Sequence, residues 1–265
     1  MAQSTRYDIP SDLLQPLWLR SRESLADDRL IYDPMAAAAC RQCSLKPDCL
    51  AGNVTEQQLL HASLTLQCDR QVEDFLRRHP GGRIINIGAG LDTRFYRVDN
   101  GLCRWFDIDI TENLVWRQRL FHDSERYRMI TGSITDLAWL QALPGTASCP
   151  VMLLCDQALL HCDTGVVSKF LQAIGCHFNK VEVCLVLAGD LCHSPLAQKM
   201  GVAAYSHGYA DPQRQLLDLI PWAEAVGRYS PLDKPCSRWR SWQRWIAKIP
   251  GLKYRLLPVL LHIRL

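Results

Sequence analysis

Two glycines and two aspartates, set about 20 residues apart, make the first chemical signal in the chain. Gly88-Ala89-Gly90 follows the compact run Arg83-Ile84-Ile85-Asn86-Ile87, and Asp107 and Asp109 close the apolar run that begins at Cys103. A β-branched run that stops in glycines reads as a strand whose C-terminal turn lets its backbone approach a ligand. A carboxylate ending the next strand is where nucleotide-binding units hold a ribose, because an ionised carboxylate accepts both diol protons. A dinucleotide site wants a third glycine, so that helix and strand pack tightly and the pyrophosphate meets the helix N-terminus. Thr93 stands there instead. The pattern therefore favours an adenosine-bearing ligand without phosphates, of which S-adenosylmethionine is the common one.

Ligands of open α/β sheets bind beyond the carboxyl ends of the strands, near the point where strand order reverses. That rule nominates Gly88, Ala89 and Gly90, the pair Asp107 and Asp109, Gly132-Ser133 after a third strand, and Asp156 after a fourth. His161, five residues past Asp156, carries an imidazole, the side chain most used for proton transfer, so it is a candidate general base for a hydroxyl or carboxyl acceptor. The plainer reading is a histidine that only fills its pocket. Arg94 and Arg97 either orient an anionic acceptor or brace the turn by pairing with Asp92 and Asp99.

The elements that must position these residues follow from periodicity. Strands are expected at 84–87, 103–108, 127–131, 151–155 and 181–187, with crossover helices over 111–122 and 164–177. A long helix runs from Leu59 to Arg78 and stops at His79-Pro80-Gly81-Gly82. Later come a helix over 213–220, a strand over 223–229, one amphipathic helix over 238–253 carrying Trp239, Trp242 and Trp245, and a last strand over 256–263. Residues 1–60 are helical and loop-rich, punctuated by Pro10, Pro16, Pro34 and Pro47, and read as a cap over the site. The chain is thus expected to form one α/β domain, a doubly wound Rossmann-like core over 61–265 beneath that cap. Its 265 residues can bury a substantial core.

A net charge of +3 is too mild for a nucleic-acid partner, and the tryptophan spacing in the basic tail suits a buried face better than a base-stacking platform. No apolar run approaches the roughly 20 residues that span a bilayer, so no membrane role is expected. Twelve cysteines without a signal-peptide pattern are expected to be reduced thiols in a cytoplasm. Cys40, Cys43 and Cys49, with His61 and Cys68 further on, are the one cluster at short spacing. They lack the paired knuckles of zinc sites, and core thiols are the better reading, with no metal.

The words Ile87-Gly88-Ala89-Gly90-Leu91-Asp92-Thr93-Arg94-Phe95-Tyr96-Arg97 closely resemble the leucine carboxyl methyltransferase family, particularly its bacterial polyketide O-methyltransferase branch. The resemblance extends through Trp105-Phe106-Asp107-Ile108-Asp109, Ser124-Glu125-Arg126-Tyr127-Arg128, Ser133-Ile134-Thr135-Asp136 and Ile249-Pro250-Gly251-Leu252, and upstream to Arg20-Ser21-Arg22-Glu23-Ser24. It implies a seven-stranded, mostly parallel sheet with an antiparallel last strand, S-adenosylmethionine as cofactor with S-adenosylhomocysteine as product, and a small-molecule acceptor. It implies Asp109 as the ribose contact, Ser133 and Ile134 at the adenine, Arg22 at the cofactor carboxylate, and Arg94 and His207 beside the acceptor, His207 being equally a surface histidine. Two motifs depart from the family. An Arg-Thr-Arg ahead of the first strand is here Leu64-Thr65-Leu66, and a motif resembling E-G-x-x-x-Y is here Asp156-Gln157-Ala158-Leu159-Leu160-His161. Those changes admit a second reading, a non-catalytic or regulatory protein that keeps the fold and the nucleoside pocket.

Overall fold

The computed structural model describes residues 6–45, 52–143, 149–203, 205–234 and 236–265. Pro47 and Cys49 lie outside them. Seven strands form one sheet: β1 (Arg83–Ile87), β2 (Arg104–Asp109), β3 (Tyr127–Thr131), β4 (Val151–Cys155), β5 (Val181–Leu187), β6 (Glu224–Tyr229) and β7 (Val259–Arg264), in the order β3-β2-β1-β4-β5-β7-β6. β1 to β5 pair in parallel, and β7 runs antiparallel to both β5 and β6. From β1 the chain steps outward to β3 and then returns to β4, so strand order reverses between β1 and β4. A crevice is expected above their carboxyl ends.

The central strands are apolar along their length because both faces are covered. Along β1, Ile84 packs on one side with Val72 and Phe75 of α3 (Val54–Arg78), while Ile85 and Ile87 pack on the other with Val167 and Phe170 of α7 (Thr164–His177). The period of two along a strand produces that division. Asp163 caps α7 by accepting from the Val166 amide at 2.9 Å.

The first two helices, α1 (Ser11–Ser24) and α2 (Pro34–Cys40), lie against the glycine turn. Leu14, Leu17, Ala36 and Ala39 form a small core with Leu91 and Phe121. Asp33 joins cap to sheet layer: one carboxylate oxygen caps α2 through the Ala36 amide at 2.8 Å, and the other accepts from the Thr93 hydroxyl and from Arg97, each at 2.5 Å.

The remaining helices are α4 (Arg94–Val98), α5 (Thr111–Leu120), α6 (Trp139–Ala142), α8 (Pro195–Lys199), α9 (Pro212–Leu219), α10 (Ser241–Ala247) and α11 (Pro250–Leu256). The single tail helix expected over 238–253 is therefore two. Pro250 disfavours helical backbone at Ile249 and serves instead as the first residue of α11. The break separates the tryptophans: Trp239 is buried, whereas Trp245 is 62% exposed. No helix among the described residues is long and apolar enough to cross a membrane.

Candidate active site

The glycine turn is held from two sides. Gly88 and Gly90 take left-handed backbone angles, φ 64° and 48°, which side-chain-bearing residues avoid. A Cβ on Gly88 would stand 2.8 Å from the Ala158 methyl across the crevice. The Gly88 amide donates to the Ile108 carbonyl at 2.8 Å, and the Gly90 amide donates to Asp109 Oδ2 at 2.6 Å. Asp109 Oδ1 accepts from the Ile110 amide and the Asn113 side chain at 2.8 and 2.9 Å.

Asp107, the alternative ribose contact, is wholly buried. It accepts from Asn86, the Trp105 indole and the Tyr127 hydroxyl at 2.9, 2.9 and 2.7 Å and pairs with Arg117. Arg117 in turn donates to the carbonyls of Gly90 and Asp92, both at 2.7 Å. Asp107 therefore anchors the turn from beneath, and Asp109 is the carboxylate that lines the crevice.

Arg94 is 1% exposed and does not line the cavities described below. Its three nitrogens donate to Asp69, Asp92 and Asp156 at 2.7, 2.6 and 2.7 Å. Arg97 donates to Asp69 at 2.7 Å as well as to Asp33. Of the two sequence readings, bracing is the one this geometry matches: Asp92 is a partner as expected, whereas Asp99 pairs with Arg126 instead. Burial pushes the Asp92 carboxyl up, but Arg94, Arg20, Arg97 and Arg117 outweigh it and hold it well below the usual carboxylate range. The partners Asp33 and Asp69 carried no local signal, since each is an isolated acid distant in sequence from the turn.

The crevice above β1 and β4 encloses about 340 Å³ and is lined by the glycine turn, Asp109, Asp156, Gln157 and His161, with Leu13, Pro16 and Arg20 of α1 above. Arg20, not Arg22, is the arginine here. Residues two apart on a helix point in nearly opposite directions, and Arg22 is exposed, bonded to Gln58 at 2.9 Å and stacked on Trp18. The spacing 12, 16, 20 along α1 was the signal that would have selected Arg20. Arg20 donates to the Leu91 carbonyl at 2.7 Å, while its Nε has no hydrogen-bond partner and lies 3.5 Å from Asp33. Burial lowers its pKa, opposed in part by Asp92 and Asp33.

A second cavity, about 130 Å³, adjoins the first and shares Pro16, Asp156 and Gln157 with it. Leu60, Leu64, Leu160, Val186 and Pro258 give it apolar walls, and His61 and Tyr205 stand at its sides. Leu64, one of the two leucines that depart from the family's arginines, is thus a wall of this pocket. His161 lies exposed on the rim of the larger cleft, its ring edge-on to Tyr205 at 5.5 Å. His207 is exposed and lines neither cavity. Ser133 and Ile134 follow β3 beside Asp109 but do not line the cleft, the Ser133 hydroxyl accepting from the Asp136 amide at 2.9 Å. Cys43 is buried and donates to the Ala39 carbonyl at 3.3 Å, and burial pushes its thiol up to about 11.

These residues fit an adenosyl amino acid. The cleft volume is in the range of about 300–1,000 Å³ that encloses a small ligand. Its lining pairs a strand-end carboxylate, suited to a ribose diol, with a guanidinium, that of Arg20, suited to a carboxylate. Residues 14–130 match the family model for leucine carboxyl methyltransferase. Over that stretch the chain is similar to the leucine carboxyl methyltransferases. It is also 25% identical over 190 residues, 68% of this chain and 69% of the relative, to the tetracenomycin polyketide synthesis O-methyltransferase TcmP of Streptomyces glaucescens. S-adenosylmethionine-dependent methyl transfer comes with that likeness. Among solved structures the similarity is one of fold. A Thermobifida fusca YX protein assigned as a methyltransferase superposes with TM-score 0.58 at 17% identity over 96% of each chain. The plantazolicin methyltransferase BpumL superposes with TM-score 0.51 at 9% identity over 97% of this chain and 99% of its own.

Proposed function

We propose that this chain is an O-methyltransferase acting on a small-molecule acceptor. The observation that carries the proposal is the meeting of two cavities at Asp156 and Gln157, one of a size for an adenosyl amino acid and the other a small pocket walled in part by leucines. The choice of oxygen follows TcmP, whose own reaction is an O-methylation. In this reading residues 1–60 cap a single methyltransferase domain in a cytoplasmic protein.

The roles divide by chemistry. Backbone at Gly88, Ala89 and Gly90 takes the amino-acid part of the cofactor, Asp109 the ribose diol and Arg20 the carboxylate. S-adenosylmethionine, when bound, supplies a sulfonium methyl group open to in-line displacement. Transfer to an acceptor oxygen would leave S-adenosylhomocysteine as the product. Holding that oxygen in line is the protein's main contribution. A hydroxyl acceptor also needs its proton removed, and His161 on the cleft rim is the candidate base; a carboxylate needs no such step.

Calorimetry with S-adenosylhomocysteine, followed by a screen for methyl transfer from labelled S-adenosylmethionine into lysate metabolites, tests the proposal. Tight binding with a methylated small molecule supports it. Binding without transfer leaves the regulatory reading, and no binding at millimolar concentration sinks both.

A further inference from the structure

His61, on α3, lines the smaller cavity and is bracketed by two side chains. Its Nε2 faces Arg20 Nη1 at 3.3 Å, and its Nδ1 faces the Gln157 side-chain amide at 3.5 Å. A guanidinium has donors only, so Nε2 must present its lone pair. A neutral imidazole then carries its proton on Nδ1. The ring is neutral: burial first, and the charge of Arg20 second, push its pKa down to about 3. Because Nδ1–H donates, the amide atom that meets it must be the Gln157 oxygen, the orientation of a glutamine amide being assigned from its hydrogen-bond partners. The Gln157 NH₂ group is then not the partner of His61, and Gln157 lines both cavities.

The small pocket limits what can meet those donors. A cavity of about 150 Å³ just accommodates benzene, and this one measures about 130 Å³ between Leu64, Leu160 and Val186.

We propose that Arg20, His61 and Gln157 form a one-way chain of hydrogen bonds ending in the Gln157 NH₂, which binds and selects the acceptor. Gln157 takes an acceptor whose reactive oxygen receives a hydrogen bond and whose inserted end is no larger than one aromatic ring. The inference rests on the methyltransferase reading above, and its test has readouts of its own.

The first is ¹⁵N NMR of histidine-labelled wild-type protein, with the His61 signals assigned by their loss in His61→Asn. Protonated Nδ1 and bare Nε2, unchanged between about pH 5 and 8, are expected; an Nε2–H tautomer, or titration in the ordinary imidazole range, overturns the chain. The second is calorimetry of benzoate with the S-adenosylhomocysteine-saturated protein. Gln157→Leu should weaken benzoate about tenfold and Gln157→Glu, which replaces the donor with an anion, by more. His61→Leu should act like Gln157→Leu, with no further loss in the double variant, since residues acting in series are not additive. Anthracene-2-carboxylate should be excluded. Equal benzoate affinity in wild type and Gln157→Glu, or no benzoate binding by wild type, overturns the assignment. Failure of wild-type protein to bind S-adenosylhomocysteine strikes the methyltransferase reading instead, whatever the tautomer.

Discussion

Asp107 and Arg117 form an ion pair with no solvent on either side, directly beneath the turn that carries Gly88 and Gly90. The pair is a stay for the site: the same guanidinium that meets Asp107 also donates to the Gly90 and Asp92 carbonyls. Its geometry explains why a glycine turn without the third glycine keeps its shape.

Arg117→Met should cost about 3–5 kcal/mol of stability, the usual penalty for leaving one partner of a buried pair uncompensated. Urea unfolding measures it. Affinity for S-adenosylhomocysteine in the folded fraction should fall as well, because the turn loses its support; a fully stable variant with unchanged affinity would remove Arg117 from this role.

Asp109→Ala should weaken S-adenosylhomocysteine binding by about 2 kcal/mol or more, through loss of charge-assisted hydrogen bonds to the ribose. Calorimetry reads the difference. Since Asp109 also holds the Gly90 amide at 2.6 Å, circular dichroism should accompany the measurement to show an intact fold. Unchanged affinity would leave Asp109 only its clamp on the turn.

Arg20 and Arg22 give opposite expectations from neighbouring positions. Arg20→Met should weaken S-adenosylmethionine strongly and 5′-methylthioadenosine, which has no carboxylate, far less. Arg22→Ala should change neither, because its side chain faces Gln58 and Trp18. A loss on Arg22→Ala confined to S-adenosylmethionine would restore Arg22 as the carboxylate contact.

The network around Arg94 should make folding acid-sensitive in a defined direction. Asp92 is held below the carboxylate range in the folded chain, against about 3.9 when unfolded. Its contribution is therefore present above about pH 4 and is lost as pH falls further, because the unfolded state then binds more protons. Asp92→Asn should be less stable than wild type near neutrality, with the gap closing below about pH 4. A gap constant across that range in urea titrations would mean that Asp92 is not a linked group.

His161→Phe should lower turnover by less than about tenfold, with no limb near the histidine pKa in the wild-type rate profile, if the acceptor oxygen is already ionised and held by Gln157. A general base would instead be worth about 100-fold and a rate rising through that pKa. Rate profiles of both proteins on the acceptor found in the screen decide between them.

What the sequence by itself determined is what local pattern encodes. The β-branched run ending in Gly88-Ala89-Gly90, the carboxylates closing β2 and the helical spacing of α3, α5 and α7 depend on backbone sterics and on burial of one face or both, and these act over a few residues. Strand limits at β3, β4 and β5 were legible to the residue for that reason. The tryptophan spacing predicts one helix over 238–253, but Pro250 restricts Ile249 and divides it, a local effect that also lies within the sequence. Tertiary structure decided the rest. Whether Asp107 or Asp109 meets the cleft depended on how deep each sits beneath the turn, and Arg20 replaced Arg22 because only one side of α1 can face the crevice. Arg94 was taken by Asp69, Asp92 and Asp156, acids from three separate segments, and His61 reached Arg20 and Gln157 across 41 and 96 residues of chain. Charge pairing inside a fold is chosen by distance and desolvation among groups that folding alone brings together, and no window of sequence contains them.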